Sequence, residues 1–194
     1  MPERYQHLYE LISSDKFLKK QGQANEVPFF ICPFDSKETV EFLKMQKQLA
    51  NRLAGQGIGI LEINLYDLSI EILKQRVIWQ DVLEKEALLG KQKILELLQG
   101  VLDASDHLIP AIKEKMKHAD FKVMFISGVG EVFPYIRSHN VLNNLQRVAK
   151  DQPTVMFFPG VYTQTLEKGA SLDLFGKLHD DKYYRAFNIY HCEV

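Results

Sequence analysis

Short, almost wholly apolar segments alternate along the chain with longer segments of helical periodicity, and this alternation constrains the fold more than any other feature. Four such segments span 27–34, 58–65, 121–127 and 155–158, and a tyrosine-rich segment at 184–190 follows them. Strands that are apolar on both sides are typical of parallel sheets covered by helices on both faces. The sequence therefore predicts an α/β fold with a mostly parallel five-stranded sheet, either Rossmann-like or a degenerate P-loop-like three-layer arrangement.

The segments between the predicted strands carry the spacing of amphipathic helices. Helices are expected at about 3–20, 36–55, 67–76 and 131–149, the last of them interrupted near Ser138. A long loop with one helical turn is expected at 161–182. These helices are the connections that a parallel sheet requires, because parallel strands cannot be joined by tight turns.

Residues at about 77–119 contain no strand signal and are expected to form three helices, with breaks at Gly90 and at the capping cluster that begins at Asp103. A helical block of this length exceeds a simple crossover between strands. We therefore predict a single α/β domain over residues 1–194 with a helical insertion at about 77–119, which is either an inserted subdomain or a partner-facing surface.

The charge balance argues against several classes of partner. The chain has 24 basic and 25 acidic residues, a net charge of −1, and therefore no long-range field to attract nucleic acid or an anionic membrane. Direct nucleic-acid binding is not expected, and no apolar run approaches the ~20 residues that a membrane helix needs. Two cysteines without a disulfide framework, and a polar N-terminus without a signal-peptide core, indicate a cytoplasmic protein.

Ligands of parallel α/β sheets bind beyond the C-terminal ends of the strands, and the third predicted strand ends in a glycine turn with Gly128 and Gly130. Free N–H groups at such a turn can bind an anion, and Arg137 and His139 follow on the next segment. The dinucleotide fingerprint fails, because Phe133 stands in place of its third glycine. Gly128, Gly130, Arg137 and His139 are thus the candidate ligand-binding residues, while a plain turn with helix capping is the simpler interpretation.

The other strand ends predict no catalysis. Residues 32–37 lack the P-loop motif, so nucleoside triphosphate hydrolysis by the usual route is not expected. Glu62, Asn64 and Asp67 would allow a magnesium site, but helix capping by Asp67 is the favoured interpretation. The six histidines show no metal-ligand spacing, and no nucleophile motif is present. We predict no catalytic residue, no metal and no cofactor.

Three tyrosines in or beside the predicted loop form the best candidate for a partner-binding surface: Tyr162, Tyr183 and Tyr184. Tyrosine is favoured at protein interfaces, because its ring buries apolar area while its hydroxyl stays hydrated. Tyrosines that pack the loop onto the body of the domain would give the same sequence pattern.

Several segments in a fixed order resemble the BrxB family, a component of the BREX phage-defence systems of bacteria and archaea. They are NEVPFF at 25–30, LEINLYDL at 61–68, GVGEVFPYIRSH at 128–139, LNNL at 142–145, FPG at 158–160, LFG at 174–176 and DKYYRAF at 181–187. The resemblance extends from about residue 13 to residue 190. One departure is the stretch 164–170, which is longer than the usual loop there.

The resemblance implies a role in antiviral defence as one subunit of a multi-protein system. The partners it implies are a PglZ-type alkaline-phosphatase-like protein first, and a DNA methyltransferase or a large ATPase as alternatives. The family brings no catalytic residues to this chain. We therefore expect a non-enzymatic structural or adaptor subunit, and the alternative is a degenerate nucleotide- or anion-binding domain with a regulatory role in the same system.

Overall fold

The computed structural model describes residues 2–19, 28–165, 169–178 and 186–194. The helices are α1 (Pro2–Ser13), α2 (Asp15–Leu18), α3 (Thr39–Gly55), α4 (Leu65–Gln75), α5 (Trp79–Val101), α6 (Ile109–Lys117) and α7 (Ser138–Leu145). The strands are β1 (Phe29–Phe34), β2 (Ile60–Asn64), β3 (Val123–Ser127), β4 (Thr154–Thr165), β5 (Gly169–Leu174) and β6 (Phe187–Asn188). A π-helical turn at Ala104–Leu108 joins α5 to α6.

The strands form one sheet in the order β2-β3-β4-β1-β6, and every neighbouring pair along this path is parallel. The sixth strand, β5, pairs with the end of β4 in the antiparallel sense. The predicted α/β fold with a mostly parallel five-stranded sheet is therefore confirmed, and β5 is an addition to it.

Apolar side chains on both faces of the sheet divide the core into two layers. On one face, Phe125 and Phe157 meet α1 and α3, whose Leu49 is fully buried. On the other face, Ile126 and Phe158 pack against residues of α4, α6 and α7. This three-layer arrangement explains why the inner strands β1 and β3 are apolar throughout rather than alternating.

The predicted loop at 161–182 is wrong for the part that the structure describes. β4 does not end at Pro159 but continues to Thr165, and residues 160–165 pair with 169–174 as a hairpin. Pro159 lies within β4, where its partner across the sheet is Phe34 of β1. Gly160 is required because a Cβ there would collide with the carbonyl oxygen of Asp173 on the facing strand. The Pro-Gly pair therefore marks a close approach between two paired strands rather than a strand end.

The predicted helix at 131–149 is also wrong in the part before its expected interruption near Ser138. Residues 129–136 form successive turns, and α7 begins only at Ser138. Val129, Val132 and Ile136 are buried, so their spacing mimics one face of a helix. Pro134 breaks the pattern, because a proline disfavours the helical conformation of the residue before it.

The helix α5 doubles back on itself at Gly90, where φ is 75° and ψ is 164°. The Arg76 guanidinium donates a hydrogen bond to the carbonyl of Val101, 25 residues further along the chain, at 3.1 Å. A straight helix of 23 residues would separate these ends by about 33 Å. The two halves therefore form a helical hairpin, in agreement with the predicted break at Gly90, while the domain division itself stays a prediction.

Candidate functional site at the C-terminal edge of the sheet

The strand order places a topological switch point between β1 and β4. The chain leaves β1 through α3 toward β2 at one edge of the sheet, and it leaves β4 toward β6 on the other side of β1. Open α/β sheets form ligand crevices at such points, beyond the C-terminal ends of the strands. Three cavities lie along this edge, and neighbouring cavities share lining residues.

The first of these, the polar cavity, has a volume of about 430 Å³ and lies between α3, β2 and α4. It is lined by Leu43, Gln46, Lys47, Glu62, Ile63, Asn64, Asp67, Leu68, Glu71, Lys115 and Ser127. Lys115 pairs with Glu71 at 2.7 Å. The charged groups come from three helices and one strand, so the cavity exists only in the folded chain.

Asn64, rather than Asp67, caps α4, which corrects the capping assignment made from sequence. Its side-chain oxygen accepts hydrogen bonds from the backbone N–H groups of Tyr66 at 2.9 Å and Asp67 at 3.2 Å. Because this oxygen is engaged by two donors, it is a poor metal ligand. Within the described ranges, no group of three or more His, Cys, Asp or Glu residues could hold a metal ion.

Gln46 is an unusual residue of the polar cavity. It lies on the buried side of α3, is 5% exposed, and lines two neighbouring cavities. Its amide oxygen has no hydrogen-bond partner among the residues that the structure describes. Buried polar atoms in proteins are nearly always hydrogen-bonded.

The second cavity, the apolar cavity, has a volume of about 220 Å³ and lies at the switch point itself. Its walls include Phe34, Phe157, Pro159 and Phe175, and Leu43, Gln46 and Ser127 separate it from the polar cavity. The Phe34 ring stacks on Phe42 of α3 with centroids 4.0 Å apart. This wall is therefore fixed by the packing of the core.

Phe175 covers one side of the apolar cavity from a tight turn at residues 174–178. Leu174 and Leu178 exchange two backbone hydrogen bonds of 3.0 Å, and the Phe175 N–H donates to the carbonyl of Pro159 at 2.8 Å. Phe175 has φ of 55°, a left-handed conformation that costs an ordinary residue about 1–2 kcal/mol. The turn thus holds an exposed aromatic ring in a fixed place.

The third cavity, the basic groove, has a volume of about 240 Å³ and lies between the 129–138 turns and the β4–β5 hairpin. Its apolar lining includes Ile136, Leu172 and Leu178, and its cations are Arg137 and Lys177. The Arg137 guanidinium lies 5.9 Å from the centroid of the Phe133 ring. Neither cation forms an ion pair with a described carboxylate.

The candidate ligand-binding residues do not meet in one site. Gly128 and Gly130 line the apolar cavity, Arg137 lines the basic groove, and His139 is 2% exposed within α7. Both glycines have packing roles. A Cβ at Gly128 would lie 2.5 Å from the Asn64 oxygen, and one at Gly130 would lie 2.9 Å from the Phe175 ring. Ligand binding by this set stays a prediction.

Tyr162 packs the hairpin onto the body of the domain, which is the alternative that its sequence left open. It is buried, and its hydroxyl donates to the carbonyl of Ala186 at 2.6 Å. Burial raises the pKa of Tyr162 to about 12. Tyr183 and Tyr184 lie outside the described residues, so partner binding through the three tyrosines stays a prediction.

The strongest pKa shifts belong to buried groups on the α1 and α3 face. Burial raises the pKa of the Cys32 thiol to about 12, and it raises the pKa of Tyr190, whose hydroxyl lies 3.4 Å from that thiol. A thiol that stays protonated is a poor nucleophile. Cys32 is a core residue and Tyr190 is partly buried beside it, and neither of them lines the three cavities.

Sequence reasoning missed Gln46 and Phe175. Gln46 carried a signal, because it lies four residues after Phe42 and three before Leu49, on the apolar stripe of α3. A polar residue on that stripe is buried by its position. Phe175 carried no such signal, since nothing in the neighbouring sequence indicates a left-handed conformation.

The fold and its edge define a parallel α/β protein with a chain of surface cavities beyond the C-terminal strand ends. Residues 61–189 match the model of the family described as BREX protein BrxB. A BREX protein BrxB from Bacillus cereus (strain H3081.97) is 34% identical over 96% of each chain. Another from Escherichia coli O9:H4 (strain HS) is 26% identical over 96% of this chain and 90% of that protein. No solved structure matches significantly.

The chain belongs to the BrxB family, which confirms the resemblance found in the sequence. It is thereby a component of a BREX system. The two relatives align with nearly the whole chain, so the match includes both the sheet and the cavities at its edge.

Proposed function

We propose that this protein is a non-enzymatic structural or adaptor subunit of a BREX-type antiviral defence complex, and that it holds another BREX protein at the C-terminal edge of its sheet. The observation that carries the proposal is the distribution of exposed apolar side chains. Six of the ten exposed large apolar residues in the described part of the chain surround this edge, with exposed fractions of 39–61%: Val40, Leu43, Tyr66, Val161, Phe175 and Leu178.

Contiguous exposed apolar residues with a polar surround are typical of protein interfaces. Here Leu43 lines the polar cavity together with its carboxylates, and Leu178 lines the basic groove together with its cations. Such charges fix the orientation of a partner more than they add affinity. We refer to the six apolar residues and the three cavities together as the edge surface.

The partner that we propose first is a PglZ-type protein, and a methyltransferase or an ATPase of the same system are alternatives. We also propose that the complex is cytoplasmic. No helix in the described ranges is long and apolar enough to cross a bilayer.

Regulatory anion or nucleotide binding is the second candidate function, and the basic groove favours it. Arg137 and Lys177 lie over apolar walls with no described carboxylate to neutralise them. The test is thermal unfolding with millimolar nucleotides, since a ligand at 100 times its Kd stabilises by about 2.7 kcal/mol. An unchanged Tm with every nucleotide contradicts this candidate.

The adaptor proposal is tested by affinity capture of the tagged protein co-expressed with the other proteins of its BREX system. We expect the wild type to retain at least one of them. Leu43→Asp and Leu178→Asp each introduce a charge at the edge surface and should abolish retention. Leu88→Asp is the matched control, because Leu88 is 84% exposed on the helical hairpin. Capture by all three variants, or by none including the wild type, contradicts the proposal.

A further inference from the structure

We propose that the polar cavity binds a lysine or arginine side chain presented by the protein partner, with Gln46 as its buried hydrogen-bond acceptor. The inference rests on the proposed function, since it names the chemistry that a bound BREX protein presents to one part of the edge surface. Three observations lead to it: an unpartnered buried amide, an excess of unpaired carboxylates, and carboxylates too dispersed to hold a metal ion.

The amide of Gln46 is the first observation. Gln46 is only 5% exposed, and its amide oxygen has no hydrogen-bond partner among the described residues. It lines the polar cavity together with Ser127, which is 7% exposed. Because Gln46 lines the polar cavity and its oxygen is unsatisfied, a donor group that enters the cavity can supply the missing hydrogen bond.

The charge around the amide is the second observation. Glu62 and Asp67 are exposed carboxylates that form no ion pair within the described residues, whereas Glu71 is paired with Lys115. Lys47 is the unpaired cation of the lining, so one negative charge remains in excess. This field favours a bound cation and disfavours a phosphate.

The dispersal of the carboxylates is the third observation. No three of the described His, Cys, Asp or Glu residues are grouped to hold a metal ion. A guanidinium distributes five N–H donors in a plane, and an ammonium on a flexible stem carries three, so either can bridge separate acceptors. Leu43, which lines the cavity and is 40% exposed, offers a surface for the aliphatic stem.

A partner-independent test uses the peptide acetyl-Gly-Arg-Gly-amide and its isosteric citrulline counterpart. Both are titrated to millimolar concentration into the ¹⁵N-labelled full chain, and the side-chain amide signal of Gln46 is followed by NMR. The Gln46→Met variant assigns this signal by its disappearance. The arginine peptide should shift it, and the citrulline peptide should not. An unmoved signal, or equal shifts with both peptides, overturns the inference.

The charge requirement is tested in the same titration. Glu62→Gln combined with Asp67→Asn should remove the shift caused by the arginine peptide. Glu3→Gln combined with Glu10→Gln removes the same charge from α1, and it should leave the shift unchanged. Equal behaviour of the two double variants contradicts a role of the cavity carboxylates.

The captured BREX protein provides the second test. Gln46→Met should weaken its binding about tenfold, as expected for one hydrogen bond to a charged group. Gln46→Glu keeps an acceptor and should bind at least as tightly as the wild type. A folded Gln46→Met variant with unchanged affinity overturns the inference. A folded Gln46→Glu variant that binds no better than Gln46→Met also overturns it. If the wild type captures nothing, the proposed function fails, and the peptide titration still decides this inference.

Discussion

The two halves of α3 differ in what surrounds them. In the C-terminal half, Leu49 and Leu53 are fully buried against the sheet, and Arg52 lies 3.5 Å from the centroid of the Tyr9 ring. In the N-terminal half, Leu43 is 40% exposed and Gln46 is buried without a partner. One helix therefore stabilises the domain at one end and lines the proposed interface at the other.

The sheet beneath the helix explains the difference. The C-terminal half of α3 lies in the layer with Val123 and Phe125, which are fully buried strand residues. The N-terminal half extends past Phe34, where β1 ends, and faces the cavities. Phe42 and Met45 stay buried in these first turns, whereas Leu43 and Gln46 line the cavities. The packed and open ends of α3 thus separate stability from binding.

The largest effect should come from truncating the packed half. Leu49→Ala removes a fully buried side chain and should lower the free energy of unfolding by about 2–5 kcal/mol. Leu43→Ala is the matched change in the open half and should lower it by less than about 1 kcal/mol. Urea denaturation measures both. Equal losses would show that the two halves of α3 are packed alike.

The hairpin depends on the absence of a side chain at Gly160. Gly160→Ala places a Cβ against the Asp173 carbonyl and should cost about 1–3 kcal/mol. Gly55→Ala at the end of α3, where nothing lies within 4 Å, is the control and should be neutral or stabilising. Thermal unfolding followed by circular dichroism compares them. An unchanged stability of Gly160→Ala would contradict the close approach of the two strands at this position.

The stability of the packed face should fall at high pH. The pKa of the buried Cys32 thiol is raised from 9.0 to about 12. A group whose pKa is raised in the folded protein contributes its full stability at pH values below its unfolded pKa. This contribution is lost as the pH rises toward the folded pKa, and the free energy of unfolding then falls by at most about 1.4 kcal/mol per pH unit. Urea denaturation between pH 8 and about 10.5 should show this decline. Cys32→Ala should make it shallower, and an identical slope would contradict the burial of an ionisable thiol.

The smallest effect should be a gain of stability in the open half. Gln46→Met replaces an unpartnered buried amide by an apolar side chain of similar shape, which should be neutral or stabilise the free protein by up to about 1 kcal/mol. The Tm of the isolated variant measures this. A clear loss of stability would show that the Gln46 amide already has a partner in the free protein.

The sequence was sufficient for the layers of the domain and insufficient for its edge. The apolar runs of β1 and β3 predicted a parallel sheet, because a strand buried on both faces has few polar residues. The break of α5 at Gly90 was equally evident, because glycine accepts a positive φ.

The edge could not be predicted, because its features depend on contacts between distant segments. Gly160 resembles a strand end until the Asp173 backbone is seen against it, and Gly130 resembles an anion loop until the Phe175 ring is placed over it. Gln46 could have been noticed on its apolar stripe, but its lack of a partner follows only from three dimensions.

The most direct test of the central claim is amide hydrogen exchange of this protein, alone and in complex with the BREX protein that it captures. We expect new protection at residues 39–47, 64–68, 129–137 and 172–178, the backbone of the edge surface. The tip of the helical hairpin around Gly90 and the C-terminal half of α3 should exchange as in the free protein. Protection confined to the hairpin tip, with the edge surface unchanged, would contradict the account.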